Sequence, residues 1–352
     1  MSAYLPFYEL RRDEFIESVH HGAIAVVDID DRLVAWFGNP DQVTFMRSSA
    51  KPFQALPFIE HGGIERYALT LREVAIMCAS HSGTDEHMDV LRAIQKKTGV
   101  SEQQLLCGVH EPFHKPTLEA MLERKEKPTS NRHNCSGKHT GMLAFTRLRG
   151  DDSGIAYIDP RHPIQVEILR TLAEMSRLPA ERIALGVDGC SAPNFAIPLR
   201  NAALAYARLC DPERGEVKPP GRARACQTVV SAMTAHPDMV AGPDRFDTRL
   251  MEIAQGRLVV KGGAEGYQGI GLMPGALHPG SPAIGIAFKV ADGDARGKIR
   301  SAVAPEVLRQ LNALSAAEFE ALSEFGPGFP VLNWRKIVVG QGSPAFRLNW
   351  AG

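Results

Sequence analysis

The sequence predicts an α+β fold, a largely antiparallel sheet flanked by helices with a helical lobe beside it. Three observations predict it. Ala23–Asp28 and Leu33–Phe37 are apolar runs either side of Asp30-Asp31, which read as a β-hairpin over 22–38. From about residue 64 to 255 the apolar positions recur at helical spacing. After Gly256 the pattern becomes β again, and strands are expected across 256–350. An isolated hairpin is marginal in water, so the N-terminal pair is expected to complete the C-terminal sheet within one domain, 1–352.

The elements follow in order. A helix to about Glu60 stops at His61-Gly62-Gly63. Thr70 and Glu73 form a capping box for a helix to Ala79. Thr84 caps 85–97, and helices are expected at 117–125, 138–148, 163–176, 197–210, 222–236 and 246–254. Strands are expected at 258–261, 269–272 and 283–288, then a long helix at 295–314, then strands at 336–339 and 345–348. Asp211–Glu216 and Lys218–Gly221 read as surface loop.

At 352 residues, 44% apolar and 23% charged, the chain can bury a large core. Lys+Arg and Asp+Glu balance at 40 each, so no basic surplus argues for nucleic acid. Met1–Pro6 lacks a basic stretch followed by an apolar one, and no run of 18 apolar residues occurs. The six cysteines (78, 107, 135, 190, 210, 226) form no tight framework, which favours free thiols or metal ligands over disulfides. The expectation is a soluble cytoplasmic protein with neither a membrane nor a nucleic-acid partner.

Four stretches carry residues suited to chemistry. Ser48 and Lys51 stand three apart at the mouth of a helix, on one face, so the amine can reach the hydroxyl. A neutral Lys amine can take the Ser proton as it attacks a carbonyl. Pro52 disfavours the α conformation at Lys51, and a tight, near-3₁₀ first turn resolves the conflict by stacking Lys51 over Ser48. S-x-x-K alone is a pattern that chance supplies in a chain of this length. The second stretch is Cys78-Ala-Ser80-His-Ser-Gly83, which also suits a helix stop and the next N-cap. The third, Asn131–Gly141, contains Gly137-Lys138 but fails as a phosphate loop, with Arg132 where Gly is needed and His139 after the Lys. In the fourth, Lys261-Gly-Gly-Ala-Glu-Gly266, glycines suit a bulge or the close approach of a ligand. Cys135 and Cys190 are candidate metal thiolates, although paired C-x-x-C knuckles are absent and spacing alone favours free thiols. His81 and His87, six apart, are no better than chance as a metal pair.

Together, Arg47–Phe53, Cys78–Gly83, Asn134–Gly141, Val187–Pro193 and Lys261–Gly266 resemble the Rhizobium etli-type L-asparaginases, from about residue 8 to 350. The resemblance implies a fold similar to serine β-lactamases and penicillin-binding proteins, with Lys261-Gly262-Gly263 where K-T-G would stand and the Ser80 stretch in place of S-D-N. It implies two Ser–Lys pairs, Ser48 with Lys51 and Ser80 with Lys261. It also implies a zinc ion held by Cys135, Lys138, Cys190 and water. Arg47, His139 and Asp188 would contact substrate, and the Ser48 and Ala264 N–H groups would form an oxyanion hole. The implied reaction is hydrolysis of L-asparagine to L-aspartate and ammonia through an acyl-enzyme on Ser48, by a homodimer. Alternatives kept open are a glutaminase or β-lactamase-like amidohydrolase, a zinc-hydroxide amidase, a non-catalytic binder, and Ser80 as the nucleophile.

Overall fold

The computed structural model describes residues 3–351. Its strands are β1 (Leu5–Arg12), β2 (Phe15–Asp28), β3 (Leu33–Phe37), β4 (Val43–Phe45), β5 (Ala184–Val187), β6 (Pro193–Pro198), β7 (Leu258–Gly262), β8 (Tyr267–Leu272), β9 (Ile284–Val290), β10 (Phe329–Leu332), β11 (Val338–Pro344) and β12 (Asn349–Trp350). Its helices are α1 (Lys51–Glu60), α2 (Gly63–Tyr67), α3 (Leu71–Met77), α4 (Asp85–Thr98), α5 (Lys115–Glu123), α6 (Ser136–Leu148), α7 (Pro163–Ser176), α8 (Leu199–Cys210), α9 (Gly221–Ala235), α10 (Pro237–Val240), α11 (Phe246–Ala254), α12 (Ile299–Gln310) and α13 (Ala316–Glu320). The chain divides into two compact units. One comprises Met1–Ser49, Ile197–Gly215 and Arg249–Gly352, the other Ala50–Ala196 and Glu216–Thr248.

The first unit is built on an antiparallel sheet, nine-stranded among the described residues, in the order β10-β11-β1-β2-β9-β8-β7. β3 adds to β2, and β12 to β3. The two halves of β2 behave differently. Its first half pairs with β1 and is mostly exposed, as Phe-Ile-Glu-Ser-Val-His-His would suggest only in part. Its second half, Ala23–Asp28, is fully buried between β9 and β3. That half reads as a continuous apolar run rather than an alternation, as a strand covered on both faces should. Helix α8 packs across β2, β8 and β9, and glycines seat it. A Cβ on Gly285 would lie 1.7 Å from the Ala203 carbonyl oxygen, and one on Gly271 2.5 Å from Cys210 Sγ.

The second unit is helical, with α1, α3, α6, α7 and α9 packed together and one β5–β6 hairpin. Thr70 and Glu73 cap α3 reciprocally, as their spacing predicts. Thr84 caps α4 with His87 as its partner. In His87, Nδ1 accepts from the Thr84 N–H (3.1 Å) and Nε2–H donates to the Asp238 carbonyl (3.1 Å). Only the neutral ring satisfies both bonds, and burial holds His87 down at about 4. Its value is therefore lower folded than unfolded, and the unfolded chain binds the extra proton as pH falls. This contribution is fully present above about pH 6.5 and is lost between there and pH 4, by about 3 kcal/mol at most. Urea melts of the wild type and His87→Gln across that window are expected to show a shallower pH slope for the variant. Equal slopes would remove His87 as the cause.

Several boundaries differ from those the sequence predicts. β1 and β10 were not among the expected strands; each contains a proline, Pro6 and Pro330. The strand expected at 345–348 is absent, and β11 ends at Pro344. The helix expected over 295–314 begins only at Ile299, because Asp294 caps it through the Lys298 and Arg300 N–H groups (3.1 and 2.9 Å). Pro193–Pro198 is a strand, so the helix expected from 197 starts at Leu199.

Candidate active site

Arg47–Ala50 forms one 3₁₀ turn, and α1 begins at Lys51 with Pro52 in its first turn. This is the tight turn that Pro52 demands, since its ring needs no donor there. Arg47 is held at φ 52°, left-handed for a residue with a Cβ, at a cost of order 1 kcal/mol. Its guanidinium lies 3.8 Å from Glu265, itself at φ 57°. Within the sheet unit, the Ser48 turn and the Lys261–Gly266 loop lie together. Ser49 Oγ donates to the Lys261 carbonyl (2.6 Å), and a Cβ on Gly263 would sit 2.6 Å from the Met46 carbonyl oxygen. The close approach foreseen at those glycines is thus made by the protein's own backbone. Ala264 is exposed on that loop, Ser48 is half-buried, and Lys261 Nζ donates to the Gly262 carbonyl (2.7 Å).

Within the helical unit, Lys51 is 1% exposed. Its Nζ donates to the Ala79 carbonyl (2.5 Å) and to Ser80 Oγ (2.9 Å). The lysine that the sequence pairs with Ser48 therefore has its amine bonded to the other serine, Ser80, which the resemblance pairs with Lys261. Ser80 is fixed from behind, its N–H donating to the Val240 carbonyl (2.9 Å). The next residue, His81, is fully buried. Its Nδ1 accepts from Gly83 N–H (3.1 Å) and its Nε2–H donates to Ser136 Oγ (2.8 Å), which donates to the Asn131 carbonyl (2.8 Å). His81 thereby ties the Ser80 stretch to the start of α6. Burial, and then the neighbouring His87 and Lys51, hold His81 well below its ordinary value. His81 and His87 do stack, with ring centroids 5.0 Å apart, but all four of their ring nitrogens are already bonded to protein.

The α6 N-terminus and the β5–β6 turn bring Cys135, Lys138 and Cys190 together. Lys138 Nζ donates to Cys190 Sγ (2.9 Å), and Cys190 to Asp188 Oδ2 (3.5 Å). The hydrogen bond between the two cysteines, opposed by burial and aided by Lys51 and Lys138, holds Cys135 well below the ordinary thiol range. The same bond and burial push Cys190 up. Burial opposes charge on Lys138, yet the Cys190 and Cys135 sulfurs hold it above its usual range. Ser191, beside Cys190, is left-handed at φ 70°.

His139 is fully buried. Its Nδ1 bonds the Tyr157 hydroxyl (2.7 Å), while Nε2 has no hydrogen-bond partner among the described residues. Burial and Lys138 lower it to about 4. Sequence reasoning passed over His133, whose Nδ1 accepts from Cys135 N–H (3.0 Å) and whose ring lies 4.4 Å from His110. Its position two residues before Cys135 was the available signal. All six cysteines are free and buried. Among the described residues no group of three His, Cys, Asp or Glu side chains could hold a metal ion, so a site here must include the Lys138 amine. The donor set of two thiols and one amine fits a zinc ion, provided Lys138 releases its proton on binding.

With this geometry described, comparison with known proteins gives a family. The model of the family described as L-asparaginase II matches residues 8–344. The chain belongs to the L-asparaginase II family. It is accordingly an amidohydrolase of the asparaginase type, acting on a small molecule. No curated protein matches this family member in sequence. Among solved structures, it is similar to the Bacillus subtilis glutaminase YbgJ in covalent complex with 5-oxo-L-norleucine. That match has 13% identity over 84% of this chain and 89% of the other, with a TM-score of 0.39. It is also similar to a probable glutaminase from Bacillus subtilis complexed with 6-diazo-5-oxo-L-norleucine, at 12% identity over 86% and 84% of the two chains, with a TM-score of 0.36. Among its described residues, no helix is long and apolar enough to cross a membrane.

Proposed function

We propose that this member of the family is an L-asparaginase with a Ser–Lys acyl-enzyme mechanism on a serine β-lactamase-like fold. The observation that carries the reading is the buried Lys51 amine, bonded to Ala79 O and Ser80 Oγ, one tight turn after Ser48. A neutral amine has two N–H bonds and one lone pair. The reading requires Lys51 in its neutral form, whose lone pair would take the Ser48 proton while its N–H bonds reach Ala79 and Ser80. Ser48 Oγ then bonds to the side-chain amide carbon of asparagine. The oxyanion is held by the Ser48 and Ala264 N–H groups, a role supported by the packing of the Gly263 loop against the Ser48 turn. Lys261 and Ser80 deliver a proton to the departing ammonia, and water cleaves the ester to L-aspartate. Arg47, His139 and Asp188 hold the substrate's charged groups. Ser48 is favoured over Ser80 as the nucleophile because it sits in a strained turn at a helix N-terminus, where negative charge is stabilised.

Cys135, Lys138 and Cys190 would hold zinc, which when bound supplies a positive charge for orienting substrate. Ammonia release is expected from asparagine well above that from glutamine, and chelation is expected to raise KM with kcat largely kept. A chelator that abolishes kcat would favour a zinc-hydroxide amidase instead. Free thiols fit a reducing cytoplasm, which belongs to this proposal.

The enzyme is further proposed to be a homodimer. Phe15, Trp334 and Val338 are 72%, 102% and 62% exposed on the β1–β2 and β10–β11 hairpins, whose ends are joined by Arg12 Nη1 donating to the Val339 carbonyl (3.2 Å). Apolar exposure of this kind marks interfaces. Sedimentation should give a dimer for the wild type and a monomer for Trp334→Asp/Val338→Asp; a monomeric wild type would contradict it.

A further inference from the structure

The sheet unit has a cavity of about 640 Å³ between the β1–β2 hairpin, the segment entering α12, and β10. Its lining includes none of the candidate site residues. The volume lies within the range of small-molecule pockets. Leu10, Ile299, Phe329 and Val331 give it apolar walls. Tyr8 stacks on Phe329, with centroids 5.6 Å apart and planes 20° apart, so the Phe329 ring is held as a flat platform. Lys298 Nζ stands 5.2 Å from the same ring centroid.

The charges around the cavity do not cancel. Glu17 takes up Arg12 through bonds of 3.0–3.2 Å. Asp294 accepts from the Lys298 and Arg300 N–H groups that open α12, bonds to neutral donors that leave its formal charge in place, so Arg12, Arg296 and Lys298 exceed Glu17 and Asp294 by one positive charge. Arg296 and Lys298 remain, without an ion-pair partner among the described residues. One surplus positive charge beside a flat apolar wall suits one negative charge on a flat apolar body. A phosphate dianion would leave oxygens unsatisfied against that wall.

We propose that this cavity binds a small aromatic monoanion, with its ring against the apolar wall of Leu10, Ile299, Phe329 and Val331 and its carboxylate between Arg296 and Lys298. The full chain is titrated with the fluorescent probe 8-anilinonaphthalene-1-sulfonate, and the bound probe is then displaced with 2-naphthoate or with inorganic phosphate. Saturable binding is expected, with displacement by naphthoate and not by phosphate at equal concentration. Arg296→Glu/Lys298→Glu, which changes two exposed side chains, should weaken probe binding about tenfold or more. Arg335→Glu/Lys336→Glu, the same charge change outside the cavity, should leave it unaltered. Absence of saturable binding overturns the proposal. So does equal weakening in both double variants, unchanged affinity in the first, or displacement by phosphate.

Discussion

Ser48→Ala is expected to lower the rate of ammonia release from L-asparagine by at least about a thousandfold, with the fold intact. The residue is half-buried in a 3₁₀ turn whose ladder is backbone, so the hydroxyl contributes little to folding. Ser80→Ala should cost less. It removes one acceptor from Lys51, but the Ala79 carbonyl still anchors the amine at 2.5 Å. Steady-state assays of both variants, with circular dichroism as the control for folding, check the order. If Ser80→Ala is dead and Ser48→Ala turns over normally, the roles of the two serines are reversed.

Gly137→Ala is expected to be the most damaging single-methyl change in the helical unit. Gly137 lies between Cys135 and Lys138 on α6, and its missing Cβ lets that helix rest on α3. The added methyl would fall 2.0 Å from the Ile76 carbonyl oxygen and 2.8 Å from its carbon. Both are backbone atoms and cannot rotate away. Either α6 shifts or α3 loses its last turn, at an expected cost of about 3 kcal/mol. Because α6 positions Lys138, bound zinc per chain should fall as well. Urea denaturation and metal analysis measure the two effects, and an unchanged midpoint would contradict this packing account.

Much of the framework was legible in the chain because its signals are local. The Thr70–Glu73 capping box, Pro163 at the head of α7 and the apolar runs of β2 and β3 each specify structure within a few residues. Pro52 even predicted the tight turn before α1. What was illegible depends on contacts distant in sequence. Nothing in Ser48-Ser-Ala-Lys51 tells that Lys51 reaches a hydroxyl 29 residues on. Nor does Asp188-Gly-Cys190 reveal that a lysine 52 residues earlier bonds its thiol. The left-handed conformations of Arg47, Ser191 and Glu265 were also hidden, because none of these residues favours φ > 0 and only the surrounding fold imposes it. These three lie within the motif stretches, where strain is expected if geometry serves chemistry rather than stability.

The central claim is a covalent bond between substrate and Ser48 Oγ. The most direct measurement quenches the wild-type enzyme in acid during turnover of L-asparagine, digests it, and maps the modified peptide by mass spectrometry. The account predicts an added β-aspartyl group on the peptide spanning Met46–Lys51, located at Ser48 and absent from Ser48→Ala. An aspartyl group on Ser80, or rapid turnover with no covalent adduct and complete dependence on zinc, would contradict it.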